Sequence, residues 1–297
     1  RDRCQVSVVP LNLAPALAGA DYRILNAEAP ITNEETVFQP TRRWTYHTDP
    51  QVAEAFARWG FDAAGLSNNH AMDRGPKGLF ETVALLKRAG VQPFGAGRNR
   101  SEALAPLIVK TTHGKIGVIA LGQTWSQPVM ASSFQPGSVA LTAKVARQTH
   151  QKLVEGGVEH TVAFVHWGKN YSHVSDEQRE QADWLIQAGF DLVIGHGSHM
   201  EQAIEVKCGV PVVYSLGNFI FGTKGRFSDE FPGYGLVVTS EVGVSGFQAL
   251  EVTCIETNND VVAFQPRPCE PEVAAKVIKR VNPAIVVEGS VGRLELY

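Results

Sequence analysis

Between Ala14 and about Gly222, apolar runs of four to seven residues alternate with segments whose apolar positions recur at helical spacing. That alternation constrains the fold more than any other feature, because two parallel strands need a long crossover between them and a helix is the usual one. The expected strands are DYRIL (21–25), DAAGLS (62–67), KIGVIAL (115–121), TVAFV (161–165), DLVIG (191–195) and VPVVYS (210–215). Helix punctuation agrees. Asp49 and Pro50 open a helix that stops before Gly60, a second helix ends at Gly90, and Ser175 with Gln178 forms a capping box on a third that closes at Gly189. Beyond Gly233 the texture changes: GYGLVVTSEV, FQALEVTCIET and DVVAFQP read as antiparallel strands, and PEVAAKVIKRV as a terminal helix. The expectation is an α/β protein with a mostly parallel central sheet and a C-terminal antiparallel extension, organised as a single domain over residues 1–297.

Four of the strands run straight into residues that bind metals or move protons. DYRIL leads to Asn26 and Glu28, DAAGLS to Asn68, Asn69 and His70, TVAFV to His166, and DLVIG to His196 and His199. The carboxyl ends of parallel strands share one edge, and ligands bind in the crevice there. The four loops are therefore expected to converge. Imidazole, amide and carboxylate donors without thiolate suit one or two divalent ions, Mn, Fe or Zn above Ca or Mg. Gly195 and Gly197 let the backbone turn so that His196 and His199 can face a shared site.

Blander roles compete at several positions. His113, His150 and His160 read as surface or hydrogen-bonded residues, while His47 and His173 sit in polar loops that could edge the crevice. Asn68 and Asn69 could form a turn, Glu28 could be a solvated carboxylate, and Asp73 could cap the helix that follows. The stretch from Gln123 to Ser138, rich in Ser, Gln and Pro, is expected to be a loop near the site.

Other chemistries lack their signals. GAGRNR (95–100) has Arg100 where a dinucleotide fingerprint needs its third glycine, and neither a G-x-S-x-G elbow nor a P-loop occurs. A net charge of -3 argues against nucleic acid as a partner. No run is as long as a transmembrane span, and RDRCQVSVVP lacks a signal-peptide pattern. Four widely spaced cysteines form no zinc knuckle, although Cys254 and Cys269 could bridge neighbouring strands.

The blocks NAEAPIT (26–32), GLSNNHAMDRGPKGLFETVALLKRAGV (65–91), PFGAGRN (93–99), VAFVHWGKNY (162–171), DLVIGHGSHMEQAIE (191–205) and VVYSLGNFIFG (212–222) resemble the CapA family of bacterial poly-γ-glutamate capsule synthesis proteins, relatives of the calcineurin-like metallophosphoesterases. The resemblance runs from about residue 14 to about residue 268 and implies a layered α/β/α fold. It further implies that Glu28, Asn69, His166, His196 and His199 ligate metal, that His70 is the catalytic histidine, and that Asn26 and Asn218 support the site or face the substrate; Asn68 and Asp73 are further candidates for that supporting role.

Two departures stand out: Gly-His-Gly-Ser-His replaces the family's Gly-His-His-Pro-His, and nothing before Asn26 matches the Gly-Asp strand that opens the family's domain. The chain as given is expected to begin partway into that domain. The function implied is metal-dependent hydrolysis of a phosphoester in making the capsule or another envelope polymer. The alternatives are metal-dependent hydrolysis, transfer or epimerisation of a peptide or γ-glutamyl amide, and a non-catalytic polymer-binding or export subunit. An anionic polymer, a peptide or a phosphoester is the expected substrate, and other capsule-synthesis proteins the expected partners. An extracytoplasmic or membrane-associated bacterial location follows by resemblance, with a cytoplasmic one left open.

Overall fold

The computed structural model describes residues 11–123 and 129–296. RDRCQVSVVP and part of the expected loop, residues 124–128, lie outside the described residues. After a 3-10 turn and the one-turn helix α1 (Ala14–Leu17), three short parallel strands, β1 (Ile24–Asn26), β2 (Ala63–Gly65) and β3 (Gln92–Phe94), pair in that order. Helices α2 (Gln51–Arg58) and α3 (Gly75–Ala89) are their crossovers. Asp49 accepts the N–H of Gln51, so its carboxylate caps α2 although Pro50 holds the N-cap position. Gly90 ends α3 in the left-handed region at φ +84°.

Next come β4 (Ala96–Gly97), α4 (Arg100–Ala103), β5 (Leu107–Thr111), β6 (Gly114–Gly122), β7 (Gly137–Ser138), α5 (Ala143–Glu155), β8 (His160–His166), α6 (Asp176–Ala188), β9 (Leu192–His196), β10 (Ile204–Lys207) and β11 (Val210–Val213). Six of these strands form the central sheet in the order β10-β11-β9-β8-β6-β5. Its four inner strands are parallel and an antiparallel strand flanks each side. The capping box at Ser175 and Gln178 opens α6, and Gly189 closes it at φ +104°.

The last part contains β12 (Tyr234–Gly243), β13 (Gly246–Glu256), α7 (Asn259–Val262), β14 (Arg267–Pro268), α8 (Pro271–Val281), β15 (Val286–Glu288) and β16 (Val291–Glu295). An antiparallel sheet runs β12-β13-β16-β15, with β14 pairing the end of β13. The expected strand DVVAFQP does not form. Asn258 accepts the N–H of Asp260 and starts the helical turn α7, and Ala263 and Phe264 then adopt positive φ, which no strand tolerates. Cys254 and Cys269 are joined in a buried disulfide, and the N–H of Cys269 donates to the Cys254 carbonyl at 3.0 Å.

Residues along the inner strands alternate between two cores. Val118, Ala120, Val162 and Phe164 pack with Leu250, Val252 and α8 residues Ala274 and Val277 on one face. Ile119, Leu121, Ala163 and Val165 pack with Val145, Leu153, Ala182 and Leu185 on the other. Strands apolar on both faces must be covered on both faces, which gives the layered α/β/α arrangement with its added antiparallel sheet. The two parallel sheets abut closely, since a Cβ on Gly65 would lie 2.6 Å from the Phe164 ring.

Candidate functional site

The carboxyl ends of β1, β2, β8 and β9 meet at one edge. Asn68 ties the first two together: its Nδ2 donates to Asn26 Oδ1 at 3.2 Å and to the Ala27 carbonyl at 2.9 Å, and its Oδ1 accepts from the His70 N–H at 3.1 Å. Glu28 then reaches His166 at the end of β8, with Oε1 3.6 Å from Nε2. Glu28 is thus partly withdrawn from solvent: Oε1 is buried, while the side chain keeps 26% exposure.

Asp73 does not cap α3, which begins with Arg74 at its N-cap and no side-chain cap. Its fully buried carboxylate gathers the site loop instead. It lies 2.6 Å from His70 Nδ1, accepts from Arg42 Nη1 at 2.9 Å and accepts the Tyr46 N–H at 2.7 Å. A carboxylate only accepts, so His70 carries its proton on Nδ1. The same Arg42 nitrogen donates to the Asn69 carbonyl, and the Tyr46 ring crosses His70 edge-on with centroids 4.6 Å apart.

His166 and His196 close the other side of the edge, with ring centroids 5.2 Å apart at 76°. Both are buried, and the loss of hydration on charging lowers each pKa to about 3; for His166 the nearby Glu28 pulls in the opposite direction. The two imidazoles are therefore neutral at physiological pH. The Phe164 ring lies 4.3 Å from that of His196.

His199 takes a different course. Its φ of +62° is a strained value for a side chain of that size. Nδ1 lies 3.0 Å from Asn218 Oδ1, and the ring stacks on Tyr171 at 5.6 Å and 24°. Tyr171 is itself at φ +51°, so both members of this stack hold left-handed backbone. The Arg226 guanidinium sits 5.3 Å above the other partner, the Tyr171 ring.

The expected metal cluster is not formed. Among the described residues no group of three or more His, Cys, Asp and Glu side chains is placed to hold a metal ion. The candidate ligands are engaged separately: His70 with Asp73, His166 with Glu28, and His199 with Asn218 and Tyr171. This corrects the expectation of one or two Mn, Fe, Zn, Ca or Mg ions bound by Glu28, Asn69, His166, His196 and His199. The metal-dependent hydrolase, and the metal-dependent hydrolysis, transfer or epimerisation of γ-glutamyl amides, lose their basis with it.

What remains at the edge is a set of polar atoms that make no hydrogen bond among the described residues. Glu28 Oε1, Asn69 Oδ1 and Asn218 Nδ2 are buried without a hydrogen-bond partner among the described residues. Tyr46, Arg42 and Arg226 gave no sequence signal, because they lie in loops without periodicity, whereas Tyr171 ends the VAFVHWGKNY block. The HWG and SLGNF blocks that flank Tyr171 and carry Asn218 were the only available pointers. Among the other histidines, His113 is exposed, His160 is buried and bonds the His113 carbonyl at 3.0 Å, and His150 packs against Phe190. His47 bonds Arg74 at 2.8 Å.

Comparison with known proteins agrees with this architecture. The profile of the family described as "Bacterial capsule synthesis protein PGA_cap" matches residues 7–223. The chain is 28% identical over 218 residues to "Capsule biosynthesis protein CapA" of Bacillus anthracis, covering 71% of this chain and 53% of that protein. It is 26% identical over 212 residues to "PGA biosynthesis protein CapA" of Bacillus subtilis, covering 70% and 55%. The chain thus spans about half the length of the curated relatives it matches. Among solved structures, a phosphatase from Mycoplasma pneumoniae superposes with a TM-score of 0.52 at 13% identity, over 82% of this chain and 86% of that one. That likeness is one of fold alone. No described helix is long and apolar enough to cross a membrane.

Proposed function

This chain belongs to the bacterial capsule synthesis protein family, and on that premise we propose that it is a polymer-binding component of capsule synthesis that grips an amide-linked, carboxylate-bearing chain at the edge formed by β1, β2, β8 and β9. One observation carries the reading: Glu28 Oε1, Asn69 Oδ1 and Asn218 Nδ2, on three separate segments, are buried with no hydrogen bond among the described residues, Glu28 Oε1 having the 3.6 Å approach to His166 Nε2. Leaving such atoms unpaired costs about 1–3 kcal/mol each, so the site is built for a ligand that repays them. Two of the three accept hydrogen bonds and one donates, and an amide backbone offers both N–H and C=O. Pendant carboxylates of the same chain meet the guanidinium groups of Arg42 and Arg226 beside Tyr46 and Tyr171. The resemblance to the poly-γ-glutamate capsule synthesis family, together with relatives named for capsule and PGA biosynthesis, supports a γ-glutamyl polymer as that chain.

The buried Cys254 to Cys269 disulfide supports a place of action outside the reducing cytoplasm. Calorimetry with γ-linked glutamyl oligomers, in buffer containing a chelator, tests the polymer reading. Binding of the γ-linked oligomer, weakened about tenfold by Asn218→Ala or Glu28→Gln and preferred over the α-linked isomer, is expected. No binding, or equal binding of both isomers, would overturn it.

A further inference from the structure

The residues that enter the turn α7 reach across to a loop of the site. The chain between β11 and β12, residues 214–233, carries both Asn218 and Arg226. Asn259 is 6% exposed, and its Nδ2 donates to two carbonyls of that loop, Phe221 at 2.7 Å and Thr223. Asn258 Nδ2 donates to the Pro232 carbonyl at 3.2 Å. Thr257 donates to the Gly233 carbonyl twice, from its N–H at 2.8 Å and from its hydroxyl at 2.9 Å. Three consecutive residues therefore hold the loop on both sides of Arg226. The Lys224 to Asp260 pair adds little, since both side chains are largely exposed.

Held at both ends, the loop meets the site at Tyr171. The Arg226 N–H donates to Tyr171 Oη at 3.2 Å, its guanidinium lies 5.3 Å from the centre of the same ring, and the Phe227 ring crosses that ring edge-on at 5.8 Å. Nearer β11, the Phe221 ring packs on His199 at 5.1 Å, and His199 Nδ1 lies 3.0 Å from Asn218 Oδ1. Arg42 is committed to Asp73, whereas Arg226 has no ion-pair partner among the described residues. A guanidinium on a free loop loses much freedom when it captures an anion, and a loop already fixed at both ends has less to lose.

We propose that Asn259 and, at the far end of the loop, Asn258 are positioning residues: their side-chain amides fix the loop so that Arg226 meets a ligand carboxylate beside Tyr171. The role needs an amide, because a carboxylate of the same shape would turn acceptors toward carbonyl oxygens. The ligand contact rests on the polymer-binding reading above. The fixing of the loop does not.

Two variants of the full chain test the proposal. Asn259→Asp keeps the side chain's size and removes the donor to Phe221 and Thr223, while Asn258→Asp keeps the Oδ1 that starts α7 and removes only the donor to Pro232. Trypsin cleavage after Lys224 and Arg226, in the absence of ligand, reports how often the loop opens. Cleavage about tenfold faster in Asn259→Asp, and severalfold faster in Asn258→Asp, is expected with cooperative thermal unfolding retained. Unchanged cleavage in either folded variant would overturn the proposal. Calorimetry with the γ-linked glutamyl oligomer then reads the contact with Arg226. Asn259→Asp and Arg226→Met should each weaken binding about tenfold, and the double variant should bind no more weakly than Arg226→Met alone. Additive losses would show that Asn259 does not act through Arg226 and would also overturn the proposal. Wild-type protein that binds no oligomer would overturn the polymer reading and the ligand contact with it, while faster cleavage in the variants would still support the fixing of the loop.

Discussion

The imidazole of His70 and the carboxylate of Asp73 stand 2.6 Å apart, three residues from each other in sequence and both buried. The pair sets the tautomer of His70, and Asp73 simultaneously anchors Arg42 and the backbone of Tyr46. One carboxylate therefore holds the loop containing Tyr46 against the end of β2.

Replacing Asp73 by Ala leaves the Tyr46 N–H, Arg42 and His70 Nδ1 without their acceptor. Loss of a buried hydrogen-bonded carboxylate is expected to cost about 3–5 kcal/mol. Urea unfolding followed by circular dichroism checks the value, and a change under about 1 kcal/mol would mean that the loop is anchored elsewhere.

Gly195 is expected to tolerate no side chain. A Cβ there would lie 2.2 Å from the Tyr214 carbonyl oxygen and 2.5 Å from Trp167 Nε1, two atoms already joined by a 2.7 Å hydrogen bond. Gly195→Ala should destabilise by at least about 1–3 kcal/mol, the usual cost of overpacking. The shift in thermal midpoint measures it, and an unchanged midpoint would show that the end of β9 is looser than described.

Acid should weaken the fold through His166 and His196. Each has a folded pKa of about 3 against an ordinary value of 6.5, so the unfolded chain takes up protons that the folded chain refuses. Their contribution is whole above pH 6.5 and falls progressively as the pH drops toward 3, by up to about 1.4 kcal/mol per pH unit for each imidazole. Urea midpoints at a series of pH values should show this slope, and His196→Asn should flatten it. An identical slope in the variant would mean that other groups carry the acid sensitivity.

Reduction should loosen the C-terminal sheet. The Cys254 to Cys269 bond closes a loop of 15 residues, for which the loss of disordered-state freedom corresponds to about 3 kcal/mol. Unfolding with and without a thiol reductant gives the difference directly. No difference would show that the two sulfurs are not bonded in solution.

The strand ends were legible because periodicity changes where an apolar run meets Asn68, His166 or His196, and the shared edge of parallel strands brings such ends together whatever the loops do. Which partner each imidazole takes was not legible. Asp73 lies where a helix cap is expected, yet α3 starts later and frees its carboxylate for His70. His199 is drawn off by Tyr171 and Asn218, which follow different strands, β8 and β11. Spacing along the chain gives no information about contacts of that kind. The strand expected at DVVAFQP failed for a local reason, since Asn258 offers the backbone a side-chain acceptor before the apolar run can extend.

The pair formed by Arg280 and Glu201 links residues 79 positions apart, and α8 lies wholly beyond residue 223, where the family profile stops. A fragment trimmed to that profile would strip the guanidinium from an enclosed acid and bare the Val118, Ala120, Val162 and Phe164 surface to water. The trailing quarter of this molecule is thus a lid on its own core.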